Sequence, residues 1–330
     1  MKTLKLLCPG VAVTLALLLS CSVSAQQLNG FDLEGALVPS SDILRGGPPR
    51  DGIPSIDAPR FVQAHEAAAL HDTDRVMGLT RNGISKAYPI RILNWHEIVN
   101  DRFGDEPLAI TFCPLCGSGM VFLREVAPEV EGQVKSQPLS FGVSGLLYNS
   151  DVLLYDRETE SLWSQIQARA LTGHYRGQPL TQIAVEHTSW LDWRQRHPDT
   201  QVLSFETGFG RDYDSNPYGG YAESAATYFP VKFRALGFHP KERVIGLALN
   251  GEAKAWPFVE LGKVESPLQD RLGDTPIVVH FDPAHGAASI RDNNGSLLPA
   301  VTLYWFAWAA FHPDTQVFRQ PSAASESTEQ

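Results

Sequence analysis

RVMGLTRNGISKAYP, residues 75–89, returns as RVIGLALNGEAKAWP at residues 243–257, with nine of fifteen positions identical. The first copy reads as two extended stretches around Asn82-Gly83. That dipeptide suits a two-residue hairpin, because both of its residues tolerate positive φ. Working outward, DRFGDEPLAITFCPLCG from Asp101 aligns with DRLGDTPIVVHFDPAHG from Asp270, and SWLDWRQRHPDTQVL from Ser189 aligns with YWFAWAAFHPDTQVF from Tyr304. Three blocks in one order predict two copies of a single unit. The offset between blocks is 168, then 169, then 115, so the first copy carries about 54 further residues between its second and third blocks. Surplus segments on a scaffold often carry function.

Pattern gives the elements of a unit. Residues 75–81 and 84–90 read as paired strands. ILNWHEIVNDRFG has helical spacing, with Ile92, Trp95, Ile98 and Val99 on one face and Gly104 as the stop. PLAITF and GMVFLRE read as strands on either side of CPLC. HTSWLDWRQRHP is a short helix before strand QVLSF, and GLLYNSDVLLYD is a hairpin about Asn149-Ser150-Asp151. The expected fold is therefore α+β: two fused homologous repeats of mainly antiparallel sheets with short helices. The expected boundaries are a leader at 1–25, an N-terminal extension at 26–60, and repeat one at 61–206 with its insertion at about 124–180. A Gly-, Tyr- and Pro-rich connector at 207–242 follows, then repeat two at 243–319 and a polar disordered tail at 320–330.

The N-terminus bears on compartment. Lys2 and Lys5 precede an apolar run from Val11 to Leu19, and Val23-Ser24-Ala25 is a small-residue cleavage pattern, so residues 1–25 read as a secretory signal. The expected location is periplasmic or secreted. Leu18-Leu19-Ser20-Cys21 offers the rival of a lipoprotein anchored through Cys21. No segment is long and apolar enough to suggest a transmembrane span. The formal net charge is −10 and no basic cluster occurs, which argues against nucleic acid as a partner. The sequence names no protein partner.

Of four cysteines, Cys8 and Cys21 fall within the leader, leaving Cys113 and Cys116. A disulfide over so short a loop adds little stability, so stapling is a poor reason for the pair. Three readings remain open. The first is a metal knuckle: strand, Cys-Pro-x-Cys-Gly, strand supplies two thiolates, and tetrahedral zinc wants more ligands. Asp282 and His285 align with Cys113 and Cys116 in the second copy and would complete the set if the two turns met. Zinc or copper suits thiolate with imidazole. His96 and Met120 are reserve ligands, although a hydrogen-bonded helix histidine and a core methionine are the plainer readings. The second is a thiol–disulfide oxidoreductase, which the glycines after Cys116 disfavour because such motifs open a helix. The third is structural: the cysteines pack as small hydrophobes in a tight, half-buried turn, as they would in a non-catalytic ligand-binding or scaffold protein.

The insertion adds Tyr148, Asn149, Asp151, Trp163 and Gln165. These mix aromatic and polar chemistry as a small-ligand cleft does, though polar runs of this kind are also common on solvated hairpins. Ser144 lacks the nucleophile-elbow pattern. His197 and His312 each precede Pro-Asp and read as helix ends. No phosphate loop, c-type haem motif or dinucleotide fingerprint occurs. Whether the chain is an enzyme stays open at this level.

AYPIRILNWHEIVND, TFCPLCGSGMVF, FGVSGLLYNSDVLLYDRETESLWSQ and the HPDTQVL block together resemble the bacterial family catalogued as domain of unknown function 3179. The resemblance covers roughly residues 60–320 and implies an exported or membrane-associated protein. It brings no established reaction with it.

Overall fold

Helix is scarce in this chain. The computed structural model describes residues 27–126, 138–234 and 236–320. It has 39% strand and 11% helix, with five small sheets arranged as a five-bladed β-propeller. The expectation of an α+β pair of repeats is thereby overturned. Residues 1–26, with the expected leader and Cys21, lie outside the described residues, as do residues 321–330 of the expected tail.

The physical reason is local. Among the described residues the α-helices are Ile90–His96, Trp190–Arg196, Phe258–Leu261 and Trp305–Phe311, none longer than seven residues. Helices of one or two turns cannot form a layer of their own. The stretch assigned as a helix through Gly104 splits in two. Glu97 takes φ 57 and ends the helix, and Ile98–Phe103 is a strand, as its β-branched Ile98 and Val99 favour. Gly104, at φ 64, makes the turn into the next strand.

The matched stretches occupy matching places. One sheet runs Glu186–Ser189, Arg75–Arg81, Ile84–Pro89, Gln201–Leu203 and Phe61–Gln63. Another runs Val301–Tyr304, Arg243–Leu249, Glu252–Pro257 and Gln316–Val317. In both the hairpin is antiparallel and the strand after the His-Pro-Asp-Thr turn joins parallel. Downstream of each, a second sheet forms. In the first case it comprises Gln182–Ile183, Ser118–Leu123, Glu106–Cys113 and Ile98–Phe103; in the second, Leu268–Leu272, Thr275–Asp282 and Ala287–Arg291. Residues between 141 and 170 supply most of the fifth sheet, Arg169–Ala170, Leu162–Ser164, Asp151–Asp156 and Phe141–Tyr148, with Ile43–Arg45 at its edge.

The largest core cluster joins three of these sheets. Ile98, Cys113, Cys116 and Phe122 pack with Phe141, Val152 and Trp163 of the 141–170 sheet, with Val244 and Leu303 of the Arg243 sheet, and with Trp305 of the helix that follows it. The cysteine turn is thus set where three blades meet.

Candidate metal centre

Cys113 ends its strand and Cys116 closes the turn, its N–H donating to the Cys113 carbonyl at 3.2 Å. Gly117 follows at φ 62, a conformation that costs glycine little. Both cysteines are free and buried. Opposite them lies the hairpin of the insertion. Asn149 and Ser150 take φ 51 and 65, the paired positive φ of a two-residue turn that matches strand twist. That geometry aims the Ser150 carbonyl at the sulfurs: Cys116 Sγ donates to it at 3.3 Å and Cys113 Sγ at 3.8 Å.

The next residue, Asp151, brings its carboxylate to the same point. Ligand atoms of Cys113, Cys116 and Asp151 all lie within 4.8 Å of one another. Asp151 Oδ2 accepts the Ile166 N–H at 3.0 Å and the Ser164 hydroxyl at 3.5 Å, whereas Oδ1 is buried without a hydrogen-bond partner. Burial pushes the Asp151 carboxyl up to about 8. Glu97 is buried too, accepts the Tyr218 hydroxyl at 3.4 Å, and is likewise pushed up to about 8 by burial, with Asp151 adding repulsion. Burial also raises the Cys116 thiol well above its ordinary range, and Cys113, Asp151 and Glu97 reinforce the rise. Acids and thiols gathered in a dry site stay protonated unless a cation replaces the protons.

The connector supplies the cover. Tyr221 is buried, its hydroxyl without a hydrogen-bond partner, and Tyr218 packs against the same core. Lys241 holds Nζ 3.7 Å from the Tyr221 ring centroid and donates to the carbonyls of Ser224 and Ala226 at 3.1 and 2.8 Å. Burial lowers that amine to about 8. Residues 207–242 therefore do more than wrap the surface. Glu97, Tyr218, Tyr221 and Lys241 were missed from sequence; the one available signal was the run of tyrosines in a segment otherwise rich in Gly and Pro.

The residues expected from sequence separate into two clusters. Asp282 and His285 gather with Asp192, and His285 Nδ1 pairs with Asp282 Oδ2 at 2.6 Å. Both nitrogens of His96 are engaged, by the Pro54 carbonyl at 2.8 Å and the Tyr213 hydroxyl at 2.7 Å. Met120 is a buried member of the core. Of the insertion residues, Asp151 reaches the cysteines, as just described. Gln165 stands behind the turn, accepting from Ser118 Oγ at 2.6 Å and donating to Thr111 Oγ1 at 2.8 Å. Trp163 donates to Asp156 at 2.8 Å, Tyr148 packs edge-on against Phe311, and Asn149 Oδ1 accepts the Lys232 N–H at 3.0 Å. These last three shape the hairpin rather than the sulfur site.

The family model described as protein of unknown function (DUF3179) matches residues 50–315. Neither a curated protein nor a solved structure matches the chain.

Proposed function

The chain belongs to this family of proteins of unknown function, and we propose that it is a metal-binding protein whose ion is held by Cys113, Cys116 and Asp151. One observation carries the reading: two thiols and a buried carboxylate converge within 4.8 Å, and the carboxylate keeps one oxygen unpartnered. A buried acceptor left unpaired costs about 1–3 kcal/mol, and an ion among these three groups would remove that cost. Two thiolates with one carboxylate select a borderline ion over magnesium or calcium, and the carboxylate favours zinc over cuprous copper. Three protein ligands leave a fourth tetrahedral position, the arrangement of zinc sites that keep a position for water or substrate. Asp282 and His285 lie in the other cluster, so Asp151 takes the place given to them from sequence.

Elemental analysis of purified protein tests this. About one equivalent of zinc is expected in the wild type, falling below a tenth in Cys113→Ser and in Asp151→Asn. Copper at that stoichiometry would keep the site and change the ion. Wild-type protein that takes up no metal even after zinc reconstitution sinks the proposal.

Thiol–disulfide exchange is the rival use of the same cysteines, and their proximity supports it. Burial and the raised Cys116 thiol oppose it, since attack requires an accessible thiolate. Alkylation separates the two: protection lifted by chelator marks the metal, and protection lifted by reductant marks a disulfide.

A further inference from the structure

Arg75 and Arg243 open the two matched stretches, and the guanidinium of each is drawn inward. Nη2 of both is buried without a hydrogen-bond partner. Among the described residues no carboxylate forms an ion pair with either. Arg91, which borders the same cavity as Arg75, is by contrast paired with both Asp74 and Asp214. The two unpaired arginines also act on each other: burial is the first cause lowering the Arg243 guanidinium, and the charge of Arg75 is the next.

Other groups face the pair. The Tyr304 hydroxyl lies within electrostatic reach of both arginines. So does His187, whose Nε2 meets the Gly119 carbonyl at 3.1 Å and whose buried Nδ1 has no partner. A neutral ring donating through Nε2 leaves Nδ1 as a bare acceptor, suited to a hydroxyl or a bound water. Glu242 acts on Arg243 from a distance, with Oε1 taken by the Val259 N–H at 2.9 Å. Phe258 backs Arg243, its ring centroid 4.7 Å from the guanidinium carbon.

Two like charges taken from water without a counter-charge are strongly unfavourable. The fork of guanidinium donors matches the oxygens of a carboxylate or a tetrahedral oxyanion. We propose that Arg75, Arg243 and Tyr304 form a binding site for a small oxyanion. Arg75 also borders a cavity of about 560 Å³ that opens to the surface, while Arg243 pairs in register with Tyr304 on the adjoining strand. The site backs onto the cysteine turn: the Tyr304 N–H donates to the Cys116 carbonyl at 2.8 Å, and a Cβ on Gly117 would stand 3.0 Å from the Tyr304 ring. The inference does not rest on the metal reading, but it places an anion beside the proposed ion.

Isothermal titration of the full-length protein with sodium sulfate and, separately, sodium formate tests it, with sodium chloride holding ionic strength constant. One saturable site is expected for at least one salt, weakened about tenfold or more in Arg75→Gln and in Arg243→Gln and less in Arg91→Gln. Saturation by formate alone marks a carboxylate site, and saturation by sulfate alone a tetrahedral-oxyanion site. Binding of neither salt, or affinity unchanged in both variants, overturns the proposal. Should a variant fail to fold, wild-type crystals soaked in selenate read the site directly. An anomalous peak between the guanidiniums supports it, and a peak only elsewhere, or a water bridging the two, overturns it.

Discussion

At Gly78 a single hydrogen decides whether a blade can close. A Cβ there would run into the ring of Trp193, and Gly246 stands in the same relation to Trp308. Each tryptophan is buried, donates to a threonine of its own His-Pro-Asp-Thr turn, and stacks on the histidine at 4.0 Å. Gly78→Ala and Gly246→Ala should therefore each lower stability by about 1–3 kcal/mol through overpacking, measured by urea unfolding. The reading of His197 and His312 as helix ends agrees with their place at the helix C-termini. A second outcome at this scale follows from Asp151 and Glu97, both pushed up to about 8. Their unfolded values lie near 4, so between these limits the folded state holds protons that the unfolded state has released. Stability of chelator-stripped protein should then fall as pH rises, by at most about 1.4 kcal/mol per unit for each group. His187, lowered to about 3 by burial, has the opposite sign: the unfolded state binds its proton below 6.5, so its contribution is lost as pH falls. The clean window is thus pH 6.5–8. There, denaturant midpoints should decline with pH in the wild type and decline less in Asp151→Asn.

Between elements, one motif ties sheet to sheet twice. Lys86, on the second strand of its hairpin, reaches Asp101 of the neighbouring sheet at 2.8 Å and the Arg102 carbonyl at 2.9 Å, while the Tyr88 hydroxyl donates to Asp101 at 2.5 Å. Lys254, Trp256 and Asp270 repeat the arrangement, at 2.8 and 2.7 Å. The side chains of the first pair are 8% and 6% exposed, and those of the second 13% and 19%. Removing one partner of a buried pair strands the other charge and costs about 3–5 kcal/mol. Lys86→Met should therefore destabilise by about that much, and Lys254→Met by less, because water screens the second pair better. Equal losses in thermal or urea unfolding would refute the burial argument. The strands themselves were readable: hairpins at Asn82-Gly83 and Asn149-Ser150 fall where turn chemistry puts them. The helix through Gly104 was misread because Ile92, Trp95, Ile98 and Val99 satisfy a helical period and a strand continuation alike. Glu97, in a backbone conformation uncommon for a residue with a side chain, breaks the run.

For the whole molecule, the first prediction concerns its N-terminus. If residues 1–25 are a leader, intact-mass measurement on material from the native host should show a chain beginning at Gln26; a lipidated Cys21 would reverse that and place the protein on a membrane. Metal and fold should also be linked: holding an ion at the meeting of three blades, the zinc-loaded wild type should melt higher than chelated protein, and Cys113→Ser should lose that difference. Calorimetry with and without chelator measures it. What the sequence by itself determined is what lies close along the chain. The matched hairpins, the His-Pro-Asp-Thr turns and the closeness of Cys113 to Cys116 depend on dihedral preferences and spacings of a few residues. What only the tertiary structure decided is which residues share the cysteine site and how the sheets add up to a molecule. Asp151 reaches the sulfurs because two sheets pack on a common core. Glu97 arrives on a broken helix, Tyr218 and Lys241 on a connector without regular structure, and Asp282 with His285 are carried to Asp192 instead. Propeller closure likewise depends on sheet-on-sheet packing between segments up to hundreds of residues apart, and no local period records it.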